Sequence, residues 1–306
     1  MSTPDDFFWI DLHYQEAPNL IATGVLITES GLLLIDPGPT TALPGLGAGL
    51  EAKGYGLTDV HAVLLTHIHL DHAGATGTIV QQHPDIDVVV HRIGAPHVAE
   101  PSRLLASAKR IYGDSMDRLW GEVAAVPEDN LTVVRGGEML TLGGHTLNVA
   151  YTPGHAVHHV SYYDRSSQMA FVGDVAGMRI SDADYVLPVT PPPDVDLERW
   201  LQSIETVRAW APEVLFPTHC GPSFDPASHL TVMAERLQGW ADEVRDVLQA
   251  APDDAAVENA AEAFTQRKLE AMREAVPAAY QAAYAQFGDP RGSFDGLARY
   301  WRKQVA

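Results

Sequence analysis

Short apolar runs, each bounded by Gly, Pro or a polar cluster, follow one another through the first two thirds of the chain. Their β-branched and aromatic content reads as strands. They predict Phe7–Leu12, Leu20–Thr28, Leu32–Ile35, Val60–Thr66, Val88–His91, Leu131–Val134, Thr146–Tyr151, His159–Tyr163, Met169–Val172 and Val214–Pro217. Gly31 separates two of these runs and the polar loop Asp164–Gln168 separates two more, so hairpins are expected within mixed sheets. Between Gly94 and Asn130 the period changes. Leu104, Leu105, Ala108, Ile111 and Tyr112, then Met116, Leu119, Trp120 and Val123, recur at helical spacing and predict two short helices. Such an insertion either packs as a support or caps a cleft.

From Asp225 onward the strand signals stop. Leu230, Met233, Leu237, Trp240, Val244 and Val247 step by three and four along one face of a long helix. A break at Ala251–Asp254 precedes a second helix through about Glu274, and Pro277 and Gly288–Gly292 punctuate two more that end at Phe294–Gln304. The expected organisation is a layered α/β body over residues 1–224, with a helical insertion near 94–130, and a helical C-terminal region over 225–306.

Composition narrows the function classes. With 306 residues, 46% apolar and 20% charged, the chain is ordinary globular protein. Forty acidic against twenty basic residues give a net charge of −20, which repels a phosphate backbone or an anionic lipid surface. A small-molecule substrate is expected, with neither nucleic acid nor membrane as partner. One cysteine excludes an internal disulfide framework, and the start MSTPDDFFWIDL lacks both a basic region and a long apolar stretch. A cytoplasmic location is the expectation.

The chemistry concentrates in Thr66-His-Ile-His-Leu-Asp-His-Ala-Gly74, directly after the strand Val60–Leu65. On an extended strand end, His67 and His69 point the same way, while the turn into a helix swings Asp71 and His72 toward another point. One segment can thus serve two metals. More ligand-type residues stand at other strand ends: His155 in Thr-Pro-Gly-His, Asp174 in Val-Gly-Asp and His219 in Pro-Thr-His. In α/β sheets the loops at strand ends converge on one edge.

This ordered set, preceded by Asp36 in Leu-Leu-Leu-Ile-Asp-Pro-Gly, resembles the metallo-β-lactamase superfamily over about residues 20–220. The resemblance implies a four-layer αββα sandwich with two divalent ions at one edge. It implies that His67, His69 and His155 hold the first ion, that Asp71, His72 and His219 hold the second, and that Asp174 bridges them. Asp36 then accepts a hydrogen bond from a ligand imidazole, and His159 supports the set. Three neutral imidazoles leave a divalent ion its full charge and an open position. Zinc is the expected ion; iron and manganese suit the same donors.

Within the superfamily the motifs are most similar to the branch of hydroxyacylglutathione hydrolase, lactonases and persulfide dioxygenases. The chain departs from it at Val175–Tyr185, where the glutathione-binding stretch and the dioxygenase stretch are both missing. The implied function is attack of a metal-bridging hydroxide, oriented by Asp71 and Asp174, on the carbonyl of a small thioester, ester or lactone. The alternatives are a mononuclear iron persulfide dioxygenase, which leaves Asp71 and His72 idle, and a non-catalytic metal-binding protein. Met178, Arg179 and Tyr185 are the candidate substrate contacts, with Arg179 suited to a carboxylate. The helical tail either closes the pocket or forms a homodimer face, and Tyr280, Tyr284, Phe294 and Trp301 offer aromatic surface for both. Cys220 reads as a buried bystander, and His13, His61, His83, His91, His97, His145, His158 and His229 as surface or structural residues.

Overall fold

Gly31 makes the first hairpin. Its φ of 125° is open to glycine, and an added Cβ would stand 2.5 Å from the Asp59 carbonyl oxygen. A six-stranded sheet grows around this turn in the order β1 (Phe7–Asp11), β2 (Ala22–Thr28), β3 (Gly31–Ile35), β4 (Val60–Leu64), β5 (Asp87–His91) and β6 (Leu131–Val134). The first three pair antiparallel; the rest add in parallel after helical crossovers, as parallel pairing requires. The second sheet runs β11-β10-β9-β8-β7, from β7 (Met139–Leu142), β8 (His145–Tyr151), β9 (Val160–Asp164), β10 (Met169–Phe171) and β11 (Val214–Phe216). It is an antiparallel meander until β11, which joins β10 in parallel after helix Leu197–Ala209. The computed structural model describes residues 3–179 and 185–305.

Alternation along the strands sorts side chains into two cores. Leu26, Leu33, Ile35, Leu64 and Val89 of the first sheet meet Leu147, Val149, Tyr162, Phe171 and Phe216 of the second between the sheets. The opposite faces, with Leu32, Leu34, Val63, Val88 and Val90 on one sheet and Ala170, Val172 and Leu215 on the other, pack under helices. Burial on both faces explains why these strands read as near-continuous apolar runs. The fold is the expected αββα sandwich.

Two elements differ from the sequence reading. Strand β7 was not expected: it has four residues at a sheet edge, and Met139 is 65% exposed. The insertion holds three α-helices, Ala95–Ala99, Ser102–Tyr112 and Met116–Leu119, divided at Pro101 and at Gly113, whose φ is 53°.

The tail comprises helices Pro226–Ala250, Asp254–Ala275, Ala278–Gly288 and Pro290–Val305. The first starts where the Asp225 carboxylate accepts from Ser228 N at 3.1 Å and Pro226 occupies the first turn. Although appended in sequence, the tail is continuous with the body in packing. Leu230, Met233 and Leu237 share one cluster with Met178, Val186 and Leu187, and the Tyr284 hydroxyl donates to Tyr185 O at 2.7 Å. Tyr284 and Phe294 are each 1% exposed, so neither offers surface to a second copy. Among the described residues, no helix is long and apolar enough to cross a membrane.

Candidate metal centre

Five strand ends deliver the site. Asp36 follows β3; His67 and His69 lie on the extended stretch after β4; Asp71 and His72 enter on the short helix Leu70–Ala73. His155 follows β8, Asp174 sits in the 3-10 turn Gly173–Ala176 after β10, and His219 follows β11. Five of the seven donor residues are buried, while His69 and Asp71 are half-buried and mark the accessible side.

Asp174 lies at the middle. Its Oδ1 is 3.2 Å from His72 Nε2 and its Oδ2 is 3.2 Å from His155 Nε2. His219 Nε2 stands 3.3 Å from Asp71 Oδ2 and 3.7 Å from Asp174 Oδ1, and His155 Nε2 lies 2.9 Å from His69 Nδ1. Donor atoms fall within 4.8 Å of one another in the groups His67–His69–His155, His67–His72–Asp174 and Asp71–His72–His219. His67 Nε2, His72 Nε2 and Asp174 Oδ1 are buried without a hydrogen-bond partner among the described residues. A buried polar atom left unpaired costs about 1–3 kcal/mol. Several such lone pairs converging on one region are what a bound cation satisfies, so these residues fit divalent metal.

The outer nitrogens of the imidazoles decide which atoms face inward. His155 Nδ1 bonds Val189 O at 3.0 Å and His219 Nδ1 bonds Leu20 O at 2.7 Å. A carbonyl oxygen only accepts, so both Nδ1 atoms carry the proton and Nε2 offers a lone pair to the centre. His72 Nδ1 donates likewise to Asp36 Oδ2 at 2.9 Å. Asp36 also accepts from Thr66 N at 2.8 Å and from the hydroxyls of Thr66 and Thr218, each at 2.7 Å. His159 lies beneath: its Nε2 accepts from Asp174 N at 3.3 Å, and its Nδ1 bonds Thr152 Oγ1 at 3.0 Å.

The two halves of the site carry different charge. Burial, reinforced by the neighbouring imidazoles, pushes His67 well below its ordinary value and His69 to about 3, and burial lowers His155. These rings are neutral and ready to donate lone pairs. Burial opposes charge on His72 and His219 as well, but the surrounding carboxylates, Asp174 and Asp71 with Asp36 behind His72, together outweigh it and raise both. Asp71, pushed up by burial, is held at about 2 by His72 and His219, and Asp174 lies well below the carboxylate range for the same reason. The second half thus sets anionic carboxylates against imidazoles whose proton affinity they raise, and a metal entering there competes with protons for the same nitrogens.

The expected substrate contacts have other surroundings. Met178 is fully buried in the core, its backbone paired in both directions with Leu187 at 2.8 Å. Tyr185 is 6% exposed, with the Arg236 guanidinium 4.3 Å above its ring. Both belong to the core and present little surface to a ligand. Arg179 pairs its backbone with His219 O and Cys220 N, both at 2.7 Å, and its Nε is buried without a partner among the described residues. Residues 180–184, the middle of that segment, lie outside the described residues. Burial pushes the Cys220 thiol well above its usual range, as suits a bystander.

Sequence reasoning missed three neighbours of the site. Thr66 and Thr218 each directly precede a donor histidine, and that adjacency was the available signal. His158 accepts from Ile68 N at 3.4 Å, with its ring parallel to His67 at 6.1 Å.

Comparison with known proteins accords with this geometry. The profile of the Metallo-beta-lactamase superfamily matches residues 18–219. A metallo-beta-lactamase fold-containing protein from Sulfurisphaera tokodaii is 27% identical over 208 residues, covering 67% of this chain and 75% of that protein. A hydroxyacylglutathione hydrolase from a Methylobacterium species is 35% identical over 151 residues, but the match spans only 47% of this chain and 46% of the relative. The crystal structure of a metallo-beta-lactamase family protein from Thermus thermophilus superposes with a TM-score of 0.71 at 20% identity, covering 99% of this chain and 95% of that one, which shows the fold, tail included. With the profile spanning β2 to β11 and every strand-end donor, the chain belongs to the metallo-beta-lactamase superfamily.

Proposed function

We propose that the protein is a metal-dependent hydrolase that uses two divalent ions to cleave a small thioester, ester or lactone. One observation carries this reading: Asp174 presents Oδ1 to His72 and Oδ2 to His155, each at 3.2 Å, the placement of a carboxylate shared between two ions. His67, His69 and His155 would hold the first ion, and Asp71, His72 and His219 the second, with zinc favoured and iron or manganese compatible. Bound ions would supply an acidified water as nucleophile and a Lewis acid for the carbonyl oxygen.

The chain's part is to place and restrain. Asp71 and Asp174 stay anionic at neutral pH, so they accept hydrogen bonds from the attacking water and fix its direction. Buried carbonyls and Asp36 lock the rings of His155, His219 and His72 from behind, so the donors need no reorganisation. No side-chain nucleophile is required. Similarity to a hydroxyacylglutathione hydrolase supports an acyl substrate, while the segment after Asp174 argues against glutathione as its carrier. The mononuclear dioxygenase reading leaves Asp71 and His72 without work although their donor atoms converge with that of His219 within 4.8 Å. A cytoplasmic site of action belongs to the same proposal, on the strength of the lone cysteine and the net charge of −20.

The test is metal analysis of protein purified without added metal, followed by assay on thioesters, lactones and a persulfide with oxygen uptake recorded. Close to two ions per chain and hydrolysis without oxygen uptake are expected. One tightly held iron with oxygen consumption overturns the reading.

A further inference from the structure

The C-terminal tail reaches the donors at two places. The Phe287 ring of helix Ala278–Gly288 lies 5.3 Å from the His219 ring between centroids. The second approach is indirect and concerns His155. The main chain around His155 is fixed by helix Leu197–Ala209 and the residue before it: Asp196 N donates to Gly154 O at 2.9 Å, and Ser203 Oγ donates to Pro153 O at 2.6 Å. That helix makes no hydrogen bond to the imidazole among the described residues. Trp200 meets the ring edge-on at 5.3 Å, but its indole N–H is committed to Val175 O. The bond that orients the ring from behind runs from Nδ1 to Val189 O, at 3.0 Å.

Val189 belongs to a strap, residues 185–190, that contains no helix and is tied to the body by a bridge between Leu187 and Met178. The tail grips this strap along its length. Arg236 donates to Val186 O and lays its guanidinium over the Tyr185 ring. Gly288 comes so close to Leu187 that an added Cβ would stand 2.1 Å from Leu187 Cδ2. Next to Val189, Thr190 Oγ1 donates to Ser293 O at 3.0 Å and Thr190 N donates to Ser293 Oγ at 3.4 Å. Thr190 and Ser293 are 0% and 2% exposed, so water does not compete for these bonds. One turn further along helix Pro290–Val305, a Cβ on Gly296 would stand 1.9 Å from Thr190 O. Glycine is unfavourable inside a helix, so its place at 296 marks an approach that a side chain would block.

We propose that Thr190, Ser293 and Gly296 are positioning residues for the first donor set, through which the last tail helix sets the orientation of His155. The physical link is one peptide group. Val189 O and Thr190 N belong to the same planar unit, whose carbonyl and N–H point opposite ways. Its carbonyl edge receives the His155 imidazole and its N–H edge faces Ser293. A shift of Thr190 against the helix therefore tilts the carbonyl away from the ring. With the carbonyl in place, Nδ1 keeps its proton and Nε2 faces the centre; without it, the ring turns and either nitrogen can carry the proton. The consequence for metal rests on the two-ion reading above; the orientation of His155 does not.

Orientation is therefore measured first, in metal-free protein carrying isotope-labelled histidine, as the solvent-exchange rate of the His155 Nδ1 proton, assigned by its loss in His155→Gln. Thr190→Val removes the hydroxyl bond to Ser293 O, and Gly296→Ala forces the helix off the strap. Each should speed exchange about tenfold, the weight of one hydrogen bond in local opening, and Thr190→Ser should restore the slow rate. Titration with zinc against a competing chelator should then show one of two binding constants weakened about tenfold in both variants and the other unchanged. Met272→Ala, which opens a cavity on helix Asp254–Ala275, controls for general loosening of the tail: it should lower the urea midpoint and leave both zinc constants alone. Unchanged exchange in Thr190→Val and Gly296→Ala, or an equal loss of zinc affinity in Met272→Ala, overturns the proposal. Faster exchange in a protein that binds no zinc keeps the relay and removes the two-ion reading; two ions bound with exchange unchanged does the reverse.

Discussion

The Asp36 carboxylate and the His72 imidazole face each other across 2.9 Å, Nδ1 donating to Oδ2, with both side chains fully buried. The same carboxylate receives the Thr66 amide and the Thr66 and Thr218 hydroxyls. One side chain thereby ties together the ends of β3, β4 and β11 and aims His72 Nε2 at Asp174.

Asp36→Asn should therefore weaken metal binding at the second donor set by about 10–100-fold, the usual consequence of losing a partner behind a ligand. Asparagine tolerates the left-handed backbone at this position, where φ is 52°, so the turn survives. Its NH2 group, however, opposes hydrogen-bond donors. Titration with a competing chelator measures the affinity, and an unchanged second constant would refute the assignment.

Asp174→Ala should lower turnover more than Arg179→Ala does. A nucleophile displaced by about 1 Å can lose roughly a hundredfold in rate, and losing Asp174 should also deplete the second ion. Arg179→Ala should chiefly raise KM. Kinetics with metal content measured in parallel decide between them; wild-type turnover in Asp174→Ala would mean that the bridge, and the mechanism built on it, is wrong.

Gly173→Ala should destabilise the fold by about 1–3 kcal/mol. Its φ is 45°, and a Cβ there would stand 2.5 Å from Thr66 Oγ1 and 2.7 Å from His159 Nε2. Neither neighbour can yield easily, since Thr66 Oγ1 donates to Asp36 and His159 receives Asp174 N. Urea denaturation of the two proteins would show it as a lower midpoint, and an unshifted midpoint would count against the packing described.

Far from the donors, His145 Nδ1 lies 2.9 Å from Asp164 Oδ2 and its Nε2 lies 3.1 Å from Ile27 O. Both partners only accept, so both nitrogens carry protons and the ring is an imidazolium. Burial opposes this charge, but the hydrogen bonds to Asp164 and Ile27 O and the Asp164 and Asp6 charges together outweigh it and raise His145. Burial likewise opposes the Asp164 anion, and the Ser166 and His145 hydrogen bonds outweigh it and lower Asp164. A raised histidine stabilises fully below its unfolded pKa of about 6.5 and loses this as pH climbs through the folded value; a lowered aspartate stabilises above about 3.9 and loses this as pH falls through the folded value. The two contributions coincide between about pH 4 and 6.5. His145→Gln should thus cost about 1–3 kcal/mol near pH 5.5 and less near pH 9. Equal losses at both pH values, measured in urea, would refute a charged His145.

What was legible in the sequence followed from strong local rules. Strands buried on both faces read as apolar runs, and each donor histidine or aspartate announced itself by standing where such a run ends. Strand β7 escaped because an edge strand with Met139 exposed carries half a pattern. The groups that hold the rings from behind escaped for another reason: Leu20 O and Val189 O are backbone atoms, and no residue type marks a carbonyl that will receive an imidazole. The Tyr14 loop was invisible because it turns through left-handed positions filled by His, Gln and Glu, without the glycine that normally signals such a turn. The tail read correctly as helices, yet its placement against His219 depends on Phe287, whose neighbours are more than sixty positions away in sequence.

His219 follows β11, the edge strand that joins its sheet only through parallel pairing with β10. A long stretch of chain, including helix Leu197–Ala209, must close before that pairing gains its first ladder bond, which makes the step a late one in assembly. Under the proposed function, a chain in which β11 has yet to dock would own the full three-imidazole set and Asp174 but would lack His219 from the other set. On the proposed allocation, metal stoichiometry would be a clock for folding: the first equivalent would report that the ends of β4 and β8, and with them the two sheets, have met, and the second that β11 has docked beside β10.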